Sequence, residues 1–88
     1  MINISIHDTQ ITAEGHASTL ICNSVSVLMW ALAVSLDNAG AKELYVNMGD
    51  GYQMVSLLPD DKTEGIFKGI SESLKLMAAE YPKEIKIL

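Results

Sequence analysis

"CNSVSVLMWALAVSLDN", Cys22 to Asn38, is the stretch that decides how this chain folds. It contains neither proline nor glycine, and Gly40 follows shortly, a natural helix stop. The spacing predicts a helix. Val25, Val27, Leu28, Met29, Trp30, Leu32, Val34 and Leu36 make it apolar nearly all round. A helix of that kind is covered on more than one side. In a chain of 88 residues one sheet cannot cover it entirely. Part of this helix, or of the sheet beside it, is therefore expected at an interface with a second copy.

The flanking segments alternate. Ile2, Ile4 and Ile6 alternate with Asn3, Ser5 and His7, the pattern of a half-buried strand. Asp8-Thr9 reads as a turn. Ile11, Ala13 and Gly15 then alternate with Thr12, Glu14 and His16, a second strand pairing back on the first. Beyond the helix, Leu44, Val46 and Met48 alternate with Glu43, Tyr45 and Asn47. Gly49-Asp50-Gly51 is a hairpin signal, and Tyr52 to Leu58 is the return strand, stopped by Pro59. Asp60-Asp61 precede a second helix and suit its positive N-terminal end. Ile66, Ile70, Leu74 and Met77 step along one face of it. Pro82 ends it, and Ile85, Ile87 and Leu88 form a short last strand. The order is β-β-α-β-β-α-β. It predicts an α+β two-layer sandwich, a mixed sheet of about five strands with two helices on one face. The whole chain, 1–88, reads as one domain.

Composition narrows the function classes. The hydrophobic fraction is 49%, high for so short a chain, and again points to a covered apolar surface. The net charge of −5 argues against direct nucleic-acid binding and suits a basic partner. A single cysteine makes no internal disulfide and fits a reducing cytoplasm. The start, MINISIHD, has no basic run and no long apolar core, so no targeting signal is expected. The most apolar stretch, Val27 to Val34, is far short of the roughly 20 residues that span a bilayer. No membrane association is expected.

The one cysteine then requires an account. His16 ends the second strand and Cys22 opens the helix, with Ala17 to Ile21 between them. Six Cα steps allow a separation of roughly 20 Å, and a folded-back connection allows hydrogen-bond contact. Helix N-termini and neighbouring imidazolium groups both favour the thiolate, which is the nucleophile. Backbone N–H groups at a helix start also suit a developing oxyanion. Cys22 with His16 is thus a sound nucleophile and base pair. The alternative is a buried, inert cysteine and a surface histidine.

Gly15-His16-Ala17 followed by Cys22-x-x-x-Ser26 resembles the ribosomal-processing cysteine protease family Prp. The resemblance extends over essentially the whole chain, including the start "MINISI" and the β-β-α-β-β-α-β order. It implies a homodimeric cytoplasmic cysteine peptidase. Such enzymes remove a short N-terminal extension from large-subunit ribosomal protein twenty-seven, and some process phage capsid or scaffold proteins. The implied substrate is a basic protein with an N-terminal extension. Cys22 would be the nucleophile, His16 the base and Ser26 a supporting residue. Ser26 reads equally as a packing serine bonded to its own helix backbone. Family members carry a longer, glycine-containing loop between the His and the Cys, often with an aspartate three residues before the Cys. Here only ASTLI intervenes, and Thr19 stands in the aspartate's place. No third residue is assigned to orient His16.

The other features read as structure. His7 is expected at an exposed strand end, and Trp30, Met29 and Met77 in core or dimer packing. Cys22, His16 and His7 do not make a metal site of ordinary ligand spacing, and no cofactor is implied. Two functions remain open. One is a peptidase. The other is a catalytically weak or silent dimeric module that binds an extended peptide on the same scaffold.

Overall fold

A computed structural model describes residues 1–88. The alternating apolar positions become the inner face of one sheet. Its strands are β1 (Ile2–His7), β2 (Gln10–Gly15), β3 (Lys42–Gly49), β4 (Tyr52–Leu58) and β5 (Ile85–Ile87). The helices are α1 (Thr19–Asn38) and α2 (Glu64–Glu80). The element order is the expected one, and the sheet is mixed, in the order β3-β4-β2-β1-β5. β1 pairs antiparallel with β2 and parallel with β5; the β2–β4 and β3–β4 pairs are antiparallel.

Register places like with like, because partners across a ladder share a face. Ile4 faces Ala13 and Ile87, and Ile11 faces Ile6 and Val55. Ser5–Thr12 and Asn3–Glu14 fall on the opposite, uncovered face. Both helices pack on the apolar side. Helix α1 lies over β3 and β4, α2 lies against β5, and the two helices touch each other. Ile21, Val25, Met29, Leu32, Ala33 and Leu36 bury one stripe of α1, and Leu74 anchors α2. These side chains close the core with Ile2, Ile4, Ile11, Val55, Leu57 and Ile85.

Helix α1 begins a turn earlier than its apolar pattern predicts, at Thr19 rather than Cys22. The reason is Ser18, whose Oγ accepts the Ile21 N–H at 3.4 Å and so caps the first turn. This start gives α1 20 residues, and an 18-residue window of it has a mean hydropathy of 1.8, which by length and composition suffices to cross a membrane. In this fold it is the core helix of the sandwich, with its buried stripe seated on the sheet. Its opposite side is bare: Leu20 (69% exposed), Val27 (66%), Trp30 (52%) and Val34 (53%) run along the helix away from the core.

The start of α2 follows from local chemistry. Asp60 Oδ1 accepts the Lys62 and Thr63 N–H groups at 2.9 and 3.1 Å, turning the chain after Pro59 into the helix. Glu64 then places a carboxylate in the first turn.

Candidate active site

Three elements meet where β2 ends. Gly15 closes β2 with φ +111°, and a β-carbon there would collide with the Met1 carbonyl oxygen. Only glycine lets the chain leave the sheet so close to the start of β1. The Gly15 N–H bonds to the Gly51 carbonyl at 2.9 Å, fastening the strand end to the β3–β4 hairpin. His16 comes next, exposed, and lays its imidazole on Gly51. Gly51, at φ +74°, has no side chain to occupy that space; a β-carbon would sit 2.6 Å from His16 Nε2.

Ala17 and Ser18 alone connect His16 to α1, since Thr19, Leu20 and Ile21 already belong to the helix. The expected five-residue connection is thus mostly helix. Ser18 is fixed from both sides. Its Oγ caps Ile21, and its backbone N–H donates to Glu84 Oε1 at 2.9 Å from just before β5. Glu84 therefore serves the cap N–H as the third helical residue does in a capping box, but from across the fold. The Ser18 hydroxyl, and after it the Ser18 backbone N–H, hold the Glu84 carboxyl below the ordinary carboxylate range.

Cys22 lies one turn into α1 and is half-buried. Its Sγ donates to the Ala17 carbonyl at 3.4 Å and accepts the Ala17 N–H at 3.3 Å. No hydrogen bond joins it to His16. The Cys22 N–H is used up in the first helical bond, to the Ser18 carbonyl at 2.9 Å. The N–H groups expected for an oxyanion are consequently not those of Cys22. The N–H groups that the cap leaves without an acceptor are those of Thr19 and Leu20, and neither residue lines the cleft beside Cys22.

One small cleft of about 100 Å³ opens between Cys22 and the β3–β4 hairpin. His16, Cys22 and Ser26 all line it, with Asp50 and Tyr52 on the hairpin side. The three residues singled out in the sequence therefore share one site. Ser26 does not bond to its own helix backbone. Its Oγ accepts the Gln53 Nε2–H at 2.7 Å. Gln53, Gly51 and Glu84 were not foreseen. Gln53 had a signal: it breaks the run of inward-facing apolar residues Val55 and Leu57 on β4. Gly51 was readable only as a turn residue, and Glu84 touches the site through a contact no local pattern encodes. His7 lies at the far end of β1, exposed, and no cluster of His, Cys, Asp or Glu has the arrangement of a metal site.

No family model and no curated protein matches the chain by sequence. Solved structures do match. The essential ribosomal processing protease Prp from S. aureus, in complex with a covalently linked product peptide, superposes with a TM-score of 0.80 at 19% identity, covering 98% of this chain and 94% of that one. This chain has the Prp fold. A hypothetical protein from Staphylococcus aureus (TM-score 0.73, 16% identity, 98% of this chain, 94% of that) and a Streptococcus mutans protein (0.77, 17%, 98%, 89%) share the Prp architecture.

Proposed function

We propose that the chain is a cytoplasmic cysteine peptidase of the Prp kind. It would trim a short N-terminal extension from a basic protein, large-subunit ribosomal protein twenty-seven or a phage capsid or scaffold protein. The observation that carries this reading is the convergence of Cys22, His16 and Ser26 on one cleft in a Prp fold. The S. aureus Prp holds a covalently linked product peptide, which supports a peptide as the ligand class for the cleft at Cys22.

In the proposed reaction the Cys22 thiol leaves the Ala17 carbonyl and gives its proton to His16. The thiolate keeps the Ala17 N–H as a donor and attacks the scissile carbonyl carbon. Negative charge moves to the carbonyl oxygen, where the positive N-terminal end of α1 favours it. His16 then protonates the leaving amine, giving a thioester. Water, deprotonated by His16, hydrolyses the thioester and restores the thiol. The Cys22 Sγ–H bond to the Ala17 carbonyl belongs to the resting site, and substrate binding must exchange it for the His16 contact.

The bare α1 stripe of Leu20, Val27, Trp30 and Val34 supports a homodimer. The net charge of −5 supports a basic substrate. Incubation of the purified protein with the extended ribosomal protein, read by mass spectrometry, tests the reading. Cleavage is expected from the wild type and none from Cys22→Ala. Intact substrate that nevertheless binds wild type and Cys22→Ala alike would replace the peptidase with a silent peptide-binding module.

A further inference from the structure

On β4 the helix-facing positions are Gln53, Val55 and Leu57, and the partners of Gln53 across the ladders are Ala13 and Met48. An amide stands where the pattern requires an apolar side chain. Its nitrogen donates to Ser26 Oγ at 2.7 Å, while its oxygen is buried without any partner. An unpaired buried oxygen lowers stability, and a leucine here would avoid that cost. Packing therefore does not account for Gln53.

Ser26 is unusual in the same way. The hydroxyls of Ser24, Ser71 and Ser73 each donate to the carbonyl one turn back, those of Leu20, Phe67 and Gly69, at 2.8 Å. Ser26 makes no such bond to the Cys22 carbonyl and instead receives the Gln53 proton. A hydroxyl has one proton and two lone pairs. With a lone pair engaged by Gln53, the Ser26 proton stays available. Helix side chains lean toward the preceding turn, and here that turn carries Cys22. All three residues line the cleft.

We propose that Gln53 is a positioning residue for the Cys22 site. By donating to Ser26 Oγ it keeps the hydroxyl out of the helix backbone and available as a hydrogen-bond donor to the Cys22 thiolate. When the thiol proton passes to His16, Ser26 retains its own proton and shares it with the sulfur. This role rests on the reading of Cys22 as the nucleophile and adds to it a device for stabilising the anion.

Alkylation of the full chain by iodoacetamide, followed by mass spectrometry across pH, reads the sulfur directly. Gln53→Leu is expected to fold with an unchanged or higher melting temperature. Its alkylation profile moves to higher pH, with a rate at neutral pH roughly tenfold lower, the loss expected for one hydrogen bond to a charged group. Ser26→Ala should do the same, and the double variant should add nothing to either single change. Gln53→Glu forces the opposite polarity, since a carboxylate takes the Ser26 proton, and should alkylate as slowly as Ser26→Ala. A wild-type profile in folded Gln53→Leu, or a wild-type rate in folded Gln53→Glu, overturns the proposal. His16→Ala is the separate control. A wild-type profile in that variant removes the peptidase reading, while the Gln53 and Ser26 variants still decide the role proposed for Gln53.

Discussion

The His16 imidazole rests on the backbone of Gly51, so closely that a β-carbon at Gly51 would lie 2.6 Å from Nε2. The hairpin Gly49-Asp50-Gly51 is thereby a floor for the candidate base as well as a turn. Two strands distant in sequence, β2 and β4, fix the ring through this contact and through the Gly15–Gly51 hydrogen bond.

Gly51→Ala should separate these two roles. The left-handed backbone at φ +74° costs an alanine about 1 kcal/mol of stability. The larger effect is displacement of His16, since a ring Nε2 at 2.6 Å must give way. Alkylation of Cys22 at neutral pH is expected to fall to the level of His16→Ala, with only a small drop in melting temperature. A wild-type alkylation profile in Gly51→Ala would show that the floor does not position the base.

Glu84 makes a pH-dependent prediction. Its carboxyl is held below the ordinary carboxylate range, first by the Ser18 hydroxyl and then by the Ser18 N–H. A depressed folded-state value means that the unfolded chain takes up the proton first as pH falls. The stabilising contribution is then complete above the unfolded value and lost as pH drops through the folded one. Glu84→Gln keeps an acceptor for Ser18 and removes the charge. It should melt below wild type at neutral pH, and the gap should close as pH falls from about 5 toward 3. The contact is exposed, so added salt should narrow the gap as well. A gap that stays constant across this range would mean that the charge on Glu84 contributes nothing.

The sequence carried the frame of this molecule further than it carried the site. Alternation in Ile2–Ile6 and Ile11–Gly15, the Asp-Gly hairpin and the apolar run after Cys22 each set a local element, and the elements leave one way to cover the sheet. Cys22, His16 and Ser26 were named from the resemblance in Gly15-His16-Ala17 and Cys22-x-x-x-Ser26, and the fold brings all three to one cleft. The start of α1 was not legible. The apolar pattern reads from Cys22, whereas the helix begins at Thr19 behind a cap whose second partner, Glu84, is 66 residues away. Gln53 and Gly51 gain their roles only when β4 is laid beside β2 and under α1. The break at Gln53 in the apolar alternation of β4 marks a position but not its partner, because contacts of that kind are tertiary.

The core stripe of α1 provides a calibration. Leu32 is fully buried among the sheet-facing residues of the helix. Leu32→Ala should cost about 2–5 kcal/mol, the range for a large-to-small change that leaves a cavity. Chemical denaturation reads it as a lower midpoint with an unchanged slope. A loss under 1 kcal/mol would mean that the two layers close over the gap or that Leu32 is less enclosed than the fold requires.

Trp30 lies two residues before Leu32, on the other side of the same helix, and is 52% exposed. In a monomer it makes little difference to stability, so Trp30→Glu should leave the intrinsic fold intact. In a dimer joined through the stripe of Leu20, Val27, Trp30 and Val34, a carboxylate at that position enters an apolar interface without a partner. Wild type is then expected to sediment as a dimer and Trp30→Glu as a monomer with native circular dichroism. The melting temperature of the wild type should rise with protein concentration and that of the variant should not, because only the wild type gains stability by mass action. A wild type that sediments as a monomer throughout would remove the α1 stripe as the interface and leave its apolar side chains to some other partner.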